Sequence, residues 1–339
     1  MIAVVGEALI DLVVSPGGEV AARPGGSPFN AARSLARLGA ETTFLARFAR
    51  DGLGRLLRDR LAEDGVAVGV PEPSSRPSTL AVATLNQAGS ADYAFYLDGS
   101  AGADLDYEAL KKALPADATA VHVGDLGLVM EPIGTAIERL IVSDVPADTL
   151  VLLDPNCRPS AIADHAAYRG RIAAIAGRAD IVKASTEDLA YLYPGASAEE
   201  AAAALLERGT SLVLVTDGPG PARAFRPDSV LTEEVPSVTV VDTIGAGDAF
   251  GGGFLAWWTA HGLGQSDLRG SDSPSTDSPS TDSPSTDLHS ADSPSTDLHS
   301  ADQVRQALKA AVAAAALTCT RPGADPPTLA ELQVRNWWP

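Results

Sequence analysis

Gly245-Ala246-Gly247-Asp248 sets a carboxylate directly behind two closely spaced glycines and ahead of an apolar run. Gly245 and Gly247 can adopt backbone conformations that a Cβ forbids. Such a loop can turn several N–H groups toward one point, and a helix starting there adds its positive dipole end. An anion cradle with a carboxylate beside it suggests phosphoryl transfer. The same residues also read as a plain helix start, with Asp248 as its cap. The β-branched run Val238-Thr239-Val240-Val241 predicts a strand before the turn. Gly251, Gly252 and Gly253 fall in the first turns of the helix, where each costs roughly 1 kcal/mol relative to Ala. A helix tolerates that where something must approach its backbone.

Other chemically able residues cluster at the ends of apolar runs. Asp11 closes the first run and either caps a turn or points into a ligand crevice. Gly25-Gly26 precede a helix start with Asn30 at the same mouth, where Asn30 faces a ligand or bonds the helix start. Arg158, in the turn Asp154-Pro155-Asn156-Cys157-Arg158, can clamp a phosphate bidentately or form a surface ion pair. Lys183-Ala184-Ser185-Thr186-Glu187-Asp188 offers carboxylates that can organise Mg²⁺ through water. Ser185 and Asp188 equally fit a capping box. Thr216-Asp217-Gly218-Pro219-Gly220 ends a third strand. Thr320-Arg321-Pro322-Gly323-Ala324 either turns carbonyls toward a cation or an adenine pocket, or simply stops a helix.

The elements that position these groups follow from periodicity. Ile2 to Val5 and Thr42 to Ala46 read as strands, and Ala31, Leu35 and Leu38 mark a helix ending at Gly39. Leu53 to Glu63 form a second helix. Thr79 to Leu85 and Tyr93 to Leu97 read as a hairpin. From Ala120 onward strands alternate with helices: 120–123, 149–153, 181–183 and 212–215 against 133–141, 166–176 and 198–208. Continuous apolar strands in βα alternation predict a parallel sheet covered on both faces.

Composition narrows the function classes. The chain has 339 residues, is 45% hydrophobic and carries a formal charge of -19. Its only lysines are Lys111, Lys112, Lys183 and Lys309. No basic patch exists, which argues against nucleic acid and anionic membranes as partners. Cys157 and Cys319 give no disulfide framework, which fits a reducing cytoplasm. The segment MIAVVGEALIDLVV carries Glu7 and Asp11 and lacks a basic region, so it reads as neither signal peptide nor spanning helix. The histidines show no metal-ligand spacing. Residues 271–302 differ in kind: SPSTD recurs at 273–277, 278–282, 283–287 and 293–297, and LHSAD at 288–292 and 298–302. Ser, Pro and Asp bury too little apolar surface to offset ordering entropy, so this tract is expected to be a disordered insertion. Removing 271–300 is expected to leave activity intact.

Two motifs together resemble the ribokinase-like (PfkB) carbohydrate kinases over nearly the whole chain apart from 271–302. Gly25-Gly26-Ser27-Pro28-Phe29-Asn30, followed by Leu35-Ala36-Arg37-Leu38-Gly39, is similar to that family's N-terminal signature. Asp242-Thr243-Ile244-Gly245-Ala246-Gly247-Asp248 is similar to its C-terminal one. The Gly6-Glu7-Ala8-Leu9-Ile10-Asp11 opening, the Asp154 to Arg158 turn and the Cys319 to Ala324 ending are similar to the bacterial fructokinase branch.

The resemblance implies a single domain with a three-layer α/β/α ribokinase-like fold, a mainly parallel central sheet and a small β lid from about 7–24 and 76–98. It implies ATP-dependent phosphorylation of a sugar hydroxyl, with fructose expected and 2-keto-3-deoxygluconate the alternative. Asp248 would be the base, and the backbone of Gly245, Ala246 and Gly247 the anion hole. Asp11, Gly25, Gly26, Asn30 and Arg158 would bind the sugar. Lys183, Ser185, Thr216, Gly218 and Gly220 would lie along ATP. Glu187 or Asp188 would organise Mg²⁺, and Asp242, Ile244 and Gly323 would hold K⁺. A cytoplasmic homodimer through the lid is the implied assembly. A non-catalytic sugar sensor on the same fold is the rival from another class. A dinucleotide-binding oxidoreductase is disfavoured because Phe250 stands where the last glycine of GxGxxG belongs. The absence of any Gly-Lys pair excludes a P-loop kinase.

Overall fold

The computed structural model describes residues 1–85, 91–268 and 294–339. The chain opens with β1 (Ile2–Val5), β2 (Leu9–Val14), β3 (Val20–Gly25), α1 (Ser27–Arg37), β4 (Thr42–Leu45), α2 (Gly52–Glu63) and β5 (Ala67–Val68). A hairpin of β6 (Leu80–Leu85) and β7 (Ala91–Tyr96) precedes α3 (Tyr107–Ala113). Then come β8 (Ala120–Gly124), α4 (Ile133–Ser143), β9 (Leu150–Asp154), α5 (His165–Ala176) and β10 (Ile181–Ser185). They are followed by α6 (Thr186–Leu192), α7 (Ala198–Glu207), β11 (Leu212–Thr216), β12 (Ala222–Phe225) and β13 (Val230–Glu233). The chain closes with α8 (Ala246–Ala260), α9 (Pro294–Thr318) and α10 (Leu329–Val334).

Nine strands form the central sheet in the order β13-β12-β11-β10-β9-β8-β1-β4-β5. Pairing is parallel from β11 through β5 and antiparallel only at the β12 and β13 edge. Because both faces are covered, β1 and β9 are buried at every position and their sequences are nearly all apolar. Ile2 and Val4 join the core under α1, α8 and α9, whereas Ala3 and Val5 join the opposite one under α4 and α5. The result is a three-layer α/β/α arrangement. A second sheet, β3-β2-β6-β7, stands apart from the first; β2 and β6 pair in parallel, between two antiparallel edges.

Three local expectations change. Val238 to Val241 form no strand: Val240 and Val241 are exposed, and Val241 bonds through its N–H to the Cys319 carbonyl rather than to a sheet. A β-branched run lacking a neighbouring edge cannot become a strand. Helix α1 begins at Ser27, with Pro28 in its first turn, so Asn30 is helical rather than ahead of the helix. Helix α9 begins at Pro294, inside the repeat tract, and Ser300 is buried with its hydroxyl on the Asp267 carbonyl. The disordered boundary expected at 302 therefore runs too far. The expectation for 271–293 lies outside the described residues.

The glycines of α8 change meaning as well. A Cβ on Gly252 would sit 2.7 Å from Ser34 Oγ of α1, and one on Gly253 2.9 Å from Ala314 Cβ of α9. What approaches the backbone of α8 there is its own neighbouring helices.

Candidate active site

Helix α8 carries Asp248 in its first turn, buried to 7% exposure. Gly245 is the N-cap, at φ 79°, and a Cβ there would meet Ala324 Cβ at 2.7 Å. Both the left-handed conformation and the space demand glycine. Asp248 does not cap the helix. Its Oδ1 accepts from Ser27 Oγ at 2.7 Å and its Oδ2 from Asn30 Nδ2 at 2.8 Å. The first turn of α1 therefore aims the carboxylate that α8 supplies. Burial pushes the Asp248 carboxyl above the usual range, against the Ser27 and Asn30 bonds and the charges of Lys183 and Arg158.

Below that junction Glu7, fully buried, accepts from the backbone N–H of Ser27 at 3.1 Å and of Gly127 at 2.7 Å. It ties the start of α1 to the turn after β8. Burial first, then the Asp125 charge, raises its carboxyl well above the ordinary value.

A cavity of about 460 Å³ opens in front of Asp248. Asp11, Gly26, Asn30, Arg158, Ile244, Gly245 and Gly247 line it. The second sheet roofs it with Val13, Ala81, Ala83, Tyr93 and Phe95. Gly25 lies outside the wall, yet a Cβ on it would fall 2.1 Å from Asp11 Oδ2, so its lack of a side chain makes room for that carboxylate. Burial lifts Asp11 to about 6, partly offset by Arg158. Asp125, at φ 51°, and Asn156, at φ 38°, also line the cavity, and Asn156 Nδ2 donates to Asp125 Oδ2 at 3.3 Å. Arg158 Nε lies 3.5 Å from Asp125 Oδ1. Burial pushes Asp125 to about 7 against the Arg158 charge.

A second cavity, of about 650 Å³, lies on the other side of the α8 N-terminus. Thr216, Gly218 and Gly220 line one end, joined by Ala246, Gly247, Phe250, Val238, Val240, Val312 and Ala316. Thr243 and Gly247 line both cavities. The glycine turn is thus the partition between them. The first N–H groups of a helix have no partner within it and are available to an anion. The Ala246 N–H, by contrast, is turned back on the Thr243 carbonyl at 3.2 Å.

Several expected nucleotide and metal residues sit elsewhere. Lys183 lines neither cavity; its Nζ bonds Asp154 Oδ2 at 2.7 Å, beneath Gly247. Burial works against the Lys183 charge, and Asp154 more than compensates, so the ammonium is held above its ordinary value. Ser185 and Asp188 form a capping box for α6, and Asp188 also accepts from the Cys157 N–H at 2.6 Å. Asp188 is spent on structure, whereas Glu187 is exposed. Asp242 accepts from the Ile244 N–H at 3.1 Å and the Gly323 N–H at 2.7 Å. The Gly323 carbonyl is taken by the Asp325 N–H at 2.9 Å. These bonds clamp the 242–245 turn to the 319–325 segment. Ser27, Glu7, Asp125 and Asn156 were not singled out from the sequence. Asp125 carried the same signal as Asp154, a carboxylate at the end of an apolar strand.

Comparison with known proteins agrees with this arrangement. The model of the pfkB family of carbohydrate kinases matches residues 1–272. A fructokinase of Rhizobium leguminosarum bv. trifolii is 38% identical over 260 residues, 76% of this chain and 79% of that protein. The crystal structure of a Xylella fastidiosa fructokinase with bound ATP superposes with a TM-score of 0.81 at 26% identity, covering 99% of this chain and 98% of that one. A Vibrio cholerae O395 fructokinase bound to fructose, ADP and calcium gives a TM-score of 0.76 at 25% identity, over 98% of this chain and 97% of that one. The fold is ribokinase-like, the two cavities meet at the glycine turn inside the C-terminal signature, and the chain belongs to the pfkB family of carbohydrate kinases.

Proposed function

We propose that this kinase transfers the γ-phosphoryl group of ATP to a hydroxyl of fructose. The observation that carries the reading is the partition: Thr243 and Gly247 border both cavities, with Asp248 buried at the boundary. The relatives' fructose, ADP and ATP complexes support one ligand on each side. Asp248 accepts the proton of the attacking hydroxyl. The sugar oxygen bonds to the γ-phosphorus as the bond to the β-phosphate oxygen breaks, and ADP leaves. Free N–H groups of the glycine turn stabilise the charge on the transferred group. Asn30 and Ser27 hold the base in place; Asp11 and Arg158 orient the sugar. Thr216, Gly218 and Gly220 follow the nucleotide.

Among the described residues no group of three or more His, Cys, Asp or Glu is arranged to hold a metal. A Mg²⁺ carried in on the nucleotide phosphates would need few protein ligands, and exposed Glu187 would hold it through water. The ion would supply charge neutralisation on the phosphates. K⁺ would be held by backbone carbonyls of the 242–245 turn, which Asp242 fixes. Val20 and Tyr96, each 61% exposed on the second sheet, support that sheet as a closing lid with a dimer contact on it. Sedimentation velocity tests the dimer.

Arg158 is the one cationic side chain lining the first cavity among the described residues, which favours a neutral sugar over 2-keto-3-deoxygluconate. The test is ADP release over ketoses, aldoses and keto-deoxy acids. Fructose is expected to give the highest kcat/KM. Sugar binding without ATP consumption would favour the sensor reading instead.

A further inference from the structure

We propose that Asp125 makes the sugar cavity selective for uncharged sugars, by neutralising Arg158 and so closing the cavity to substrates that carry a carboxylate. This rests on the sugar-kinase reading and names the substrate class of that site.

Among the described residues the cavity wall carries three carboxyl groups, Asp11, Asp125 and Asp248, against the single cation Arg158. Asp125 is 4% exposed, and its Oδ1 accepts no hydrogen bond; the nearest cation is the Arg158 guanidinium, 3.5 Å away. Its Oδ2 is fixed by the Asn156 amide. Strands β8 and β9 bring the two turns together, since Gly124 pairs with Asp154 and both strands end there. Directly beyond them the backbone is held at positive φ twice, at Asp125 and Asn156. Non-glycine residues in that region are uncommon and cluster where the surroundings over-determine them. The result presents a carboxylate to the guanidinium from the adjacent turn.

A sugar acid entering this cavity would add a fourth carboxyl group where, among the described residues, the one cation of the wall, Arg158, already faces Asp125. Like charges juxtaposed out of water are strongly disfavoured. A neutral sugar meets no such penalty and finds acceptors for its hydroxyls at Asp11, Asp125 and Asp248. Exclusion of the wrong substrate then comes from a repulsive element as much as from attraction to the right one.

The experiment compares the wild type with Asp125→Asn, which removes the charge and tolerates the positive φ that Asp adopts. The readouts are the ratio of kcat/KM for 2-keto-3-deoxygluconate to that for fructose, and the inhibition constant of gluconate against fructose. The ratio is expected to rise, and the inhibition constant to fall, by on the order of tenfold or more. Calorimetric binding of gluconate should strengthen in parallel. If Asn does not fold, Asp125→Gly accepts φ 51° and removes the same charge. An unchanged ratio and unchanged gluconate binding in a folded variant that still phosphorylates fructose would overturn the proposal alone. A wild type that turns over the acid as well as fructose overturns it too. A wild type that phosphorylates no sugar overturns the kinase reading and the selectivity with it.

Discussion

The two cavities share a wall and differ in almost everything else. The first cavity, proposed for the sugar, is lined among the described residues by three carboxyl groups, an arginine and Asn30, and Ser27, Glu7 and Asn156 tie its residues together. The second cavity, proposed for the nucleotide, is lined by Val235, Pro236, Val238, Val240, Val312, Ala315 and Ala316, and Asp217 is its only charged group among the described residues. Polar networks discriminate sharply, because a missing partner leaves a buried group unsatisfied. Apolar walls discriminate weakly, in proportion to area. One side should therefore respond to substitution by losing chemistry, the other by graded loss of affinity.

Asp248→Asn is the most severe way to probe the sugar side. Removing a general base costs on the order of 10²–10⁴-fold, and here the loss should fall on kcat, with both KM values little changed. Retained turnover would end the assignment of Asp248 as base. On the nucleotide side, Ala316→Leu adds bulk to the wall that α9 contributes. KM for ATP should rise on the order of tenfold, about 1.4 kcal/mol, with kcat at saturating ATP preserved. A collapse of kcat instead would mean that the two sides are not separable.

The smallest effect is on stability against pH. Asp11 and Asp125 are raised to about 6 and about 7 in the folded chain, burial being the main cause. The folded state thus binds their protons more tightly than the unfolded state does, so their contribution is fully present below the unfolded value and fades as pH rises through 6 to 7. The melting temperature should fall between pH 5.5 and 8, and by less in Asp125→Asn, when followed by circular dichroism.

The unevenness extends to what could be read from the sequence. The parallel sheet was legible because β1, β9 and β11 are short, nearly all-apolar runs alternating with helix-period segments, the pattern of strands buried on both faces. The glycine turn and Asp248 were legible because glycine at φ 79° leaves a compositional trace. The wiring was not. Ser27 and Asp248 are 221 residues apart, and Glu7 and Gly127 are 120 apart; such pairings exist only once the topology is fixed. The pairing of Lys183 with Asp154 was hidden for a related reason, since the adjacent strand that delivers the carboxylate lies 29 residues away in the sequence. Val238 to Val241 misled because β propensity reports fit to a half-buried surface, and the wall of a cavity is one as well.

The close fit of Gly252 against Ser34 and Gly253 against Ala314 has a consequence for how the enzyme wears out. Helix α8 is held between α1 and α9 with its backbone against both, so it has no route to fray while they stay in place. The amides of 251–258 should exchange with deuterium only through opening of the whole domain. Inactivation by heat and global unfolding should then follow one time course, since Asp248 loses its setting when the core is lost and not before.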